Sequence, residues 1–134
     1  MAEILKLAFV GCGAISQFHL NGIRDRSVPV RITAAVDADP ERAEKFAAQT
    51  GAEVFASLDD ALSRGDFQAV DIMLPHDLHE TAAVTSLEAG KHVLLEKPMA
   101  PTLDACERIL AAARRAGSVL MVAENAQYWP EVVK

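Results

Sequence analysis

A short apolar run that breaks into two closely spaced glycines most constrains how this chain can fold. Residues 6–10 read Lys-Leu-Ala-Phe-Val and lead directly into Gly11 and Gly13. This pattern indicates a strand that turns sharply into a helix. Gly11 permits the tight turn, and Gly13 has no Cβ to keep the backbone away from a phosphate. Because the N–H groups and dipole of a helix N-terminus attract anions, the segment predicts a dinucleotide pyrophosphate site at Gly11, Gly13, Ala14 and Ile15.

The next strand ends in an acidic residue of the kind that this fingerprint requires. Residues 30–36 predict a second strand, and Asp37 follows it directly. A carboxylate there can accept hydrogen bonds from both adenosine-ribose hydroxyls and would repel the 2′-phosphate of NADP, so NAD is the preferred cofactor. The alternative is that Asp37 only starts a turn, in which Asp39 caps a helix with Pro40 at its first position. The third fingerprint position, usually Gly or Ala, is the small residue Ser16, a mild departure.

Composition narrows the class of protein. The chain has 134 residues, 51% hydrophobic content and a net charge of −6, which suit a single globular domain with a buried core. No basic run suggests nucleic acid or an anionic membrane as a partner. Cys12 and Cys106 make neither a disulfide framework nor a metal site and suit a reducing cytoplasm. Cys12 follows Gly11 near a helix N-terminus, which can lower a thiol pKa; the alternative is a tolerated filler between glycines.

Apolar runs alternate with helical patterns along the whole chain. Beyond the segments above, strands are predicted at residues 53–55, 69–74, 92–95 and 119–123, and helices at 15–24, 40–50, 58–63, 78–89 and after Thr102 through 116. In the last helix, Leu103, Ile109, Leu110 and Ala113 suggest an apolar stripe. Six buried strands separated by helices predict an α/β fold with a doubly wound parallel (Rossmann) sheet in the order 3-2-1-4-5-6.

Three further motifs carry a resemblance to a known family. The chain contains Pro-x-x-x-His at 75–79, Ala-Gly-Lys-His at 89–92 and Glu-Lys-Pro at 96–98. Together with the glycine segment and Asp37, in this order, they resemble the Gfo/Idh/MocA oxidoreductases over essentially the whole chain. The resemblance implies an NAD(P)-dependent dehydrogenase that acts on a small-molecule sugar, polyol or related alcohol, and a homo-oligomer for the full-length protein.

The resemblance implies chemical roles for residues of the Glu-Lys-Pro triplet. Lys97 is the expected catalytic or substrate-positioning lysine near the nicotinamide, where a lysine can polarise a carbonyl or carry a proton. The alternative is an ordinary solvated lysine. Glu96 is expected near the nicotinamide ribose, against an ion pair with Lys91 or Lys97. Pro98 is expected in cis.

Other positions match the family less closely. Leu74, Pro75 and His76 resemble its cofactor-lining turn, in which the last position is often Asn. His79 matches the family's histidine, and we expect it to pack or cap rather than to catalyse.

The residues after the last strand also resemble a family segment. Asn125 can line the cofactor or substrate pocket, as can Gln127, which stands where Arg is common. Tyr128 and Trp129 are expected to pack and anchor the crossover.

Family members carry a second, mostly antiparallel domain that holds substrate residues. Residues 1–134 therefore correspond to the dinucleotide-binding domain, which we expect to bind NAD yet turn over little.

A non-catalytic nucleotide sensor would not need Lys97. An S-adenosylmethionine methyltransferase is disfavoured by the absence of a pattern for an antiparallel last strand. The family's NAD-dependent glycosidase branch stays open.

Overall fold

The computed structural model describes residues 3–131, in which six strands alternate with five α-helices. The strands are β1 (Leu5–Val10), β2 (Val30–Val36), β3 (Glu53–Phe55), β4 (Ala69–Ile72), β5 (His92–Glu96) and β6 (Leu120–Ala123). The helices are α1 (Ala14–Asp25), α2 (Pro40–Thr50), α3 (Leu58–Arg64), α4 (His79–Glu88) and α5 (Leu103–Ala116). Short 3₁₀ turns occupy His76–Leu78 and Ala126–Tyr128.

The strands form one parallel sheet in the order β3-β2-β1-β4-β5-β6, which confirms the predicted topology. Val10 at the end of β1 pairs with Val36 of β2 and with Ile72 of β4, and Ile72 pairs with Leu95 of β5. The four strands therefore end side by side. We call this side of the sheet the carboxyl edge, where doubly wound folds bind their ligands.

Alternate residues of β1 face the two opposite cores. Leu7 and Phe9 pack in the cluster that contains Leu20 of α1 and Phe46 of α2. The Phe9 and Phe46 rings stack with centroids 4.8 Å apart. On the other side of the sheet, Ala8 and Val10 pack with residues from α3, α4 and α5, namely Ala61, Leu87 and Ile109. Helices on both faces explain why the strands are apolar along their length.

The predicted helix starts are confirmed where a side chain caps them. The side chain of Asp39 accepts a hydrogen bond from the N–H of Glu41 at 3.0 Å, as Ser57 and Thr102 do from residues of α3 and α5. The segment after β4 differs from prediction, because the strand ends at Ile72 and a 3₁₀ turn precedes α4.

The predicted apolar stripe of α5 is wrong in part. Its buried residues are Ala105, Ile109 and Ala112, whereas Leu103 is 82% exposed and Leu110 is 39% exposed. A helix turns about 100° per residue, so Leu103 lies roughly 120° around the axis from Ile109. Ala105, Ile109 and Ala112 therefore form the face of α5 that packs on α4 and the sheet.

The surface near β6 is apolar in places. Val119 is 65% exposed and Met121 is 60% exposed. Among residues 3–131, no helix combines the length and apolar character needed to cross a membrane.

Candidate functional site

The turn between β1 and α1 can be made only by glycine at its first position. Gly11 has a φ of +94°, and its N–H donates to the Val36 carbonyl at 2.8 Å. A Cβ on Gly11 would lie 2.5 Å from the carbonyl oxygen of Met73, just after β4. The turn thus brings the ends of β1, β2 and β4 together at the carboxyl edge, as the sequence predicts.

Beside Gly13 the surface is open. A Cβ on this residue would meet no heavy atom within 4 Å, and Gly13, Ala14 and Ile15 are exposed. No side chain caps the N-terminus of α1. Ser16 is buried, and its hydroxyl donates to the Gly13 carbonyl at 2.5 Å, which ties the first turn to the loop. Free space next to an uncapped helix N-terminus fits a diphosphate group.

Asp37 connects the glycine turn to the end of β2. Its Oδ2 accepts from the N–H of Cys12 at 2.9 Å, and its Oδ1 accepts from the N–H of Asp39 at 2.8 Å. Asp37 therefore does stabilise the local turn, as the alternative interpretation of this residue predicted. A carboxylate oxygen can accept more than one hydrogen bond, so the group can still accept from ribose hydroxyls. The ribose contact stays a prediction.

Cys12 is an inert part of this turn. Its side chain is buried, with Sγ 3.7 Å from the Val36 carbonyl oxygen. Burial, and secondly the negative charge of Asp37, raise the pKa of the thiol to about 12. The expectation of a lowered thiol pKa is wrong, because burial outweighs the helix N-terminus, and the interpretation as a filler stands.

The loops after β4 and β5 are joined through His79. The imidazole is fully buried, with Nδ1 2.8 Å from the Pro98 carbonyl oxygen and Nε2 2.9 Å from the Leu74 carbonyl oxygen. It therefore packs and joins the loops, as expected, and has no route to a substrate. Pro75 and His76 are exposed beside it at the carboxyl edge.

Lys97 lies at the end of β5 and is exposed. Within residues 3–131, no hydrogen bond or ion pair holds its ammonium group. The Lys97–Pro98 peptide bond is cis, as the resemblance led us to expect. The lysine is thus presented to the space above the carboxyl edge, while the carbonyl group of the next residue, Pro98, is held by His79.

Glu96 contacts a residue that the sequence interpretation missed. Its Oε2 lies 3.3 Å from Nε2 of His19 on α1. The expected alternative, an ion pair with Lys91 or Lys97, is wrong: Lys91 instead donates to the Phe67 carbonyl at 2.9 Å. Lys91 follows α4 and points away from the carboxyl edge, which explains why it cannot reach Glu96.

The other ring nitrogen of His19 binds Asp71 of β4. Nδ1 of His19 lies 2.6 Å from Oδ2 of Asp71, which is only 1% exposed. The hydrogen bond to Asp71 raises the pKa of His19. Burial raises the pKa of Asp71. The raised pKa of His19 indicates that the pair keeps a proton to higher pH than a free histidine would.

An indication of this pair is present in the sequence. Asp71 is the only charged residue of β4, and all four residues of that strand are buried. A carboxylate in such a strand needs a partner. The identity of the partner depends on which face of the sheet Asp71 occupies and on the rotation of α1.

A groove of about 360 Å³ brings Glu96 and Asn125 to one surface. Both line it, together with His19 and Gln127. The side chain of Gln127 donates to the Glu124 carbonyl at 3.0 Å, so in this structure it stabilises its own turn. Across residues 3–131, no group of three or more His, Cys, Asp or Glu side chains could hold a metal ion.

Tyr128 and Trp129 do not pack as expected. They are 71% and 54% exposed. Both belong to or follow a 3₁₀ turn after β6, which places them outside both cores.

The comparisons with known proteins agree with this architecture. The family model of Gfo/Idh/MocA, described as an oxidoreductase family with an NAD-binding Rossmann fold, matches residues 5–124. An inositol 2-dehydrogenase of Ralstonia nicotianae is 37% identical over 119 residues, which cover 87% of this chain and 35% of that protein. A scyllo-inositol 2-dehydrogenase (NADP(+)) of Bacillus subtilis is 34% identical, over 95% of this chain and 39% of its own.

A solved structure shows the same fold. The WlbA dehydrogenase from Bordetella pertussis, in complex with NADH and UDP-GlcNAcA, superposes with a TM-score of 0.88 at 33% identity. The match covers 92% of this chain and 36% of that one. This chain therefore spans little more than a third of the relatives it matches.

Proposed function

Because this chain belongs to the Gfo/Idh/MocA oxidoreductase family, we propose that it is the cofactor-binding part of an NAD-dependent dehydrogenase acting on a sugar, polyol or related alcohol. The observation that carries the proposal is the arrangement of the glycine turn. Asp37 is bound to the N–H of Cys12, and open space lies beside Gly13 at the uncapped end of α1. These groups offer an anion site next to a carboxylate that recognises ribose.

Different residues along the carboxyl edge contact different parts of the cofactor. Gly11, Gly13, Ala14 and Ile15 contact the diphosphate, and Asp37 binds the adenosine ribose. At the other end, the turn of Leu74, Pro75 and His76 lines the cofactor, and Glu96 and Asn125 face the nicotinamide riboside. The shared groove of Glu96 and Asn125 supports this assignment.

Lys97 supplies the acid–base group in this proposal. Bound NAD provides the hydride acceptor. In the oxidation, the unprotonated Nζ of Lys97 would accept the proton that the substrate hydroxyl loses. In the reverse reduction, the Lys97 ammonium would return that proton to the substrate oxygen. The exposed ammonium at the end of β5, with no partner among residues 3–131, supports this role.

Calorimetric titration with NAD and NADP tests the cofactor assignment. We expect NAD to bind more tightly than NADP, because the carboxylate of Asp37 repels a 2′-phosphate. Asp37→Ala removes charge-assisted hydrogen bonds to the ribose and should weaken NAD binding at least tenfold. The substitution should also reduce the difference in affinity between NAD and NADP.

Asp39→Ala is the matched control, since it removes the same charge two residues away and the cap of α2. It should leave nucleotide binding unchanged. Asp37→Asn, which keeps an oxygen acceptor, separates loss of the ribose contact from loss of the turn. If the wild-type chain binds neither nucleotide, or if Asp37→Ala binds NAD as the wild type does, the assignment fails.

The substrate class requires a separate assay. Inositols are the first substrates to test, because two of the relatives above are named for them. Because we expect this domain alone to turn over little, NADH formation from a panel of inositols is measured with a protein that also carries the second domain, and it should be lost in Lys97→Met. We also propose self-association through the apolar surface at Val119 and Met121, which sedimentation of the purified chain tests.

A further inference from the structure

His19 bridges two carboxylates that belong to different strands. It extends from α1, with Nδ1 2.6 Å from Asp71 of β4 and Nε2 3.3 Å from Glu96 at the end of β5. The three side chains thus form a line from the interior of the sheet to the carboxyl edge. Glu96 is the outermost member, with 21% of its side chain exposed.

The charges explain why the line holds together. The Asp71 side chain is 2% exposed, and its Oδ1 has no hydrogen-bond partner among the described residues. A buried carboxylate needs an opposite charge, and His19 provides the one basic contact that the structure shows. Protonation of His19 is favoured by the same contact, which raises its pKa.

Glu96 depends on His19 in turn. Its Oε2 is inaccessible to solvent and has no aligned hydrogen bond within residues 3–131, so the imidazole at 3.3 Å is the charged group that it faces. Removing the imidazole would leave a carboxylate oxygen buried without compensation, and the side chain would turn outward.

We propose that His19 is a positioning residue: anchored by Asp71, it holds Glu96 in the orientation that receives the nicotinamide end of the cofactor. The inference rests on the proposed function, because it requires that Glu96 binds the nicotinamide end of the cofactor. It adds two residues, His19 and Asp71, that act on the cofactor through Glu96.

Two isosteric variants separate the two contacts of the imidazole. His19→Asn keeps an amide N–H near the position of Nδ1, toward Asp71, and is too short to reach Glu96. His19→Gln places an amide near Nε2, toward Glu96, and gives up the bond to Asp71. The probes are NAD and ADP, since ADP has the adenosine and diphosphate but lacks the nicotinamide riboside.

We expect His19→Asn to weaken NAD binding about tenfold and to leave ADP binding unchanged. His19→Gln should recover part of the NAD affinity but unfold at lower urea concentration. Glu96→Gln should reproduce the loss seen with His19→Asn, and the double variant should lose no more than either single one. Glu96→Gln also provides the test if the His19 variants do not fold.

The outcomes are distinguishable. Unchanged NAD binding in His19→Asn, or equal weakening of NAD and ADP, overturns the positioning role while the proposed function stands. Additive losses in the double variant overturn it as well. If the wild-type chain binds ADP and NAD with equal affinity, the nicotinamide end adds nothing to binding. Glu96 then has no part in binding it, and the inference is wrong. If it binds neither, the proposed function falls first.

Discussion

Replacing Gly11 by alanine should destabilise the fold strongly. The residue has a φ of +94°, which costs an L-residue about 1–2 kcal/mol. The new Cβ would also lie 2.5 Å from the backbone oxygen of Met73, an atom that cannot move without shifting β4 against β1. Overpacking of this kind costs about 1–3 kcal/mol. We therefore expect the free energy of unfolding to fall by about 2–5 kcal/mol.

Gly13→Ala is the matched control. Gly13 has a φ of −83°, and its new Cβ would meet nothing within 4 Å. Its stability should stay within about 1 kcal/mol of the wild type, since the reduced entropy of the unfolded chain offsets a poorer N-cap. NAD binding should nevertheless weaken, because the methyl group takes the space assigned to the diphosphate.

Urea unfolding, followed by circular dichroism, measures both variants, and calorimetry measures NAD binding by Gly13→Ala. A Gly11→Ala variant with wild-type stability would refute the close approach of the turn to β4. Equal NAD affinity in wild type and Gly13→Ala would refute the placement of the diphosphate beside Gly13.

Three further perturbations test other parts of the structure. The raised pKa of His19 contributes stability that is present below its ordinary value of 6.5 and is lost as the pH rises through the folded-state value. The urea unfolding free energy should therefore fall as the pH rises above 6.5, and Asp71→Asn should flatten that dependence; a parallel fall in the variant would contradict the pairing. His79→Phe leaves a buried carbonyl oxygen, that of Pro98 or Leu74, without the N–H that the imidazole donates and should cost about 1–3 kcal/mol in the same assay; wild-type stability would show that this hydrogen bond contributes little. Ile109→Ala should cost about 2–5 kcal/mol and Leu103→Ala less than about 0.5 kcal/mol; equal losses would contradict the assigned face of α5.

The features that could be predicted from the sequence depend on neighbouring residues. Asp39 followed by Pro40 predicts the start of α2 because a cap acts within one turn of helix. The alternation of strands and helices then leaves few topologies, since parallel crossovers are right-handed. The strand order and the glycine turn follow from these local rules.

The features that were missed depend on distant residues. His19 and Asp71 are 52 residues apart, and their contact requires both the side of β4 that Asp71 faces and the rotation of α1 on the sheet. The prediction of which α5 residues are buried is wrong for a related reason. Several apolar residues compete for one face, and packing against α4 selects the smaller ones, Ala105 and Ala112, over Leu103.

In the proposed role of Asp37, its two hydrogen bonds link nucleotide preference to the stability of the fold. A lineage that came to accept a 2′-phosphate would have to give up this carboxylate, and the N–H groups of Cys12 and Asp39 would lose their acceptor in the same step. The loss at the buried Cys12 costs about 1 kcal/mol or more, whereas the exposed N–H of Asp39 can bond to water instead. A change of nucleotide is therefore accessible only to a protein with stability in reserve, or through an earlier substitution that supplies a replacement oxygen.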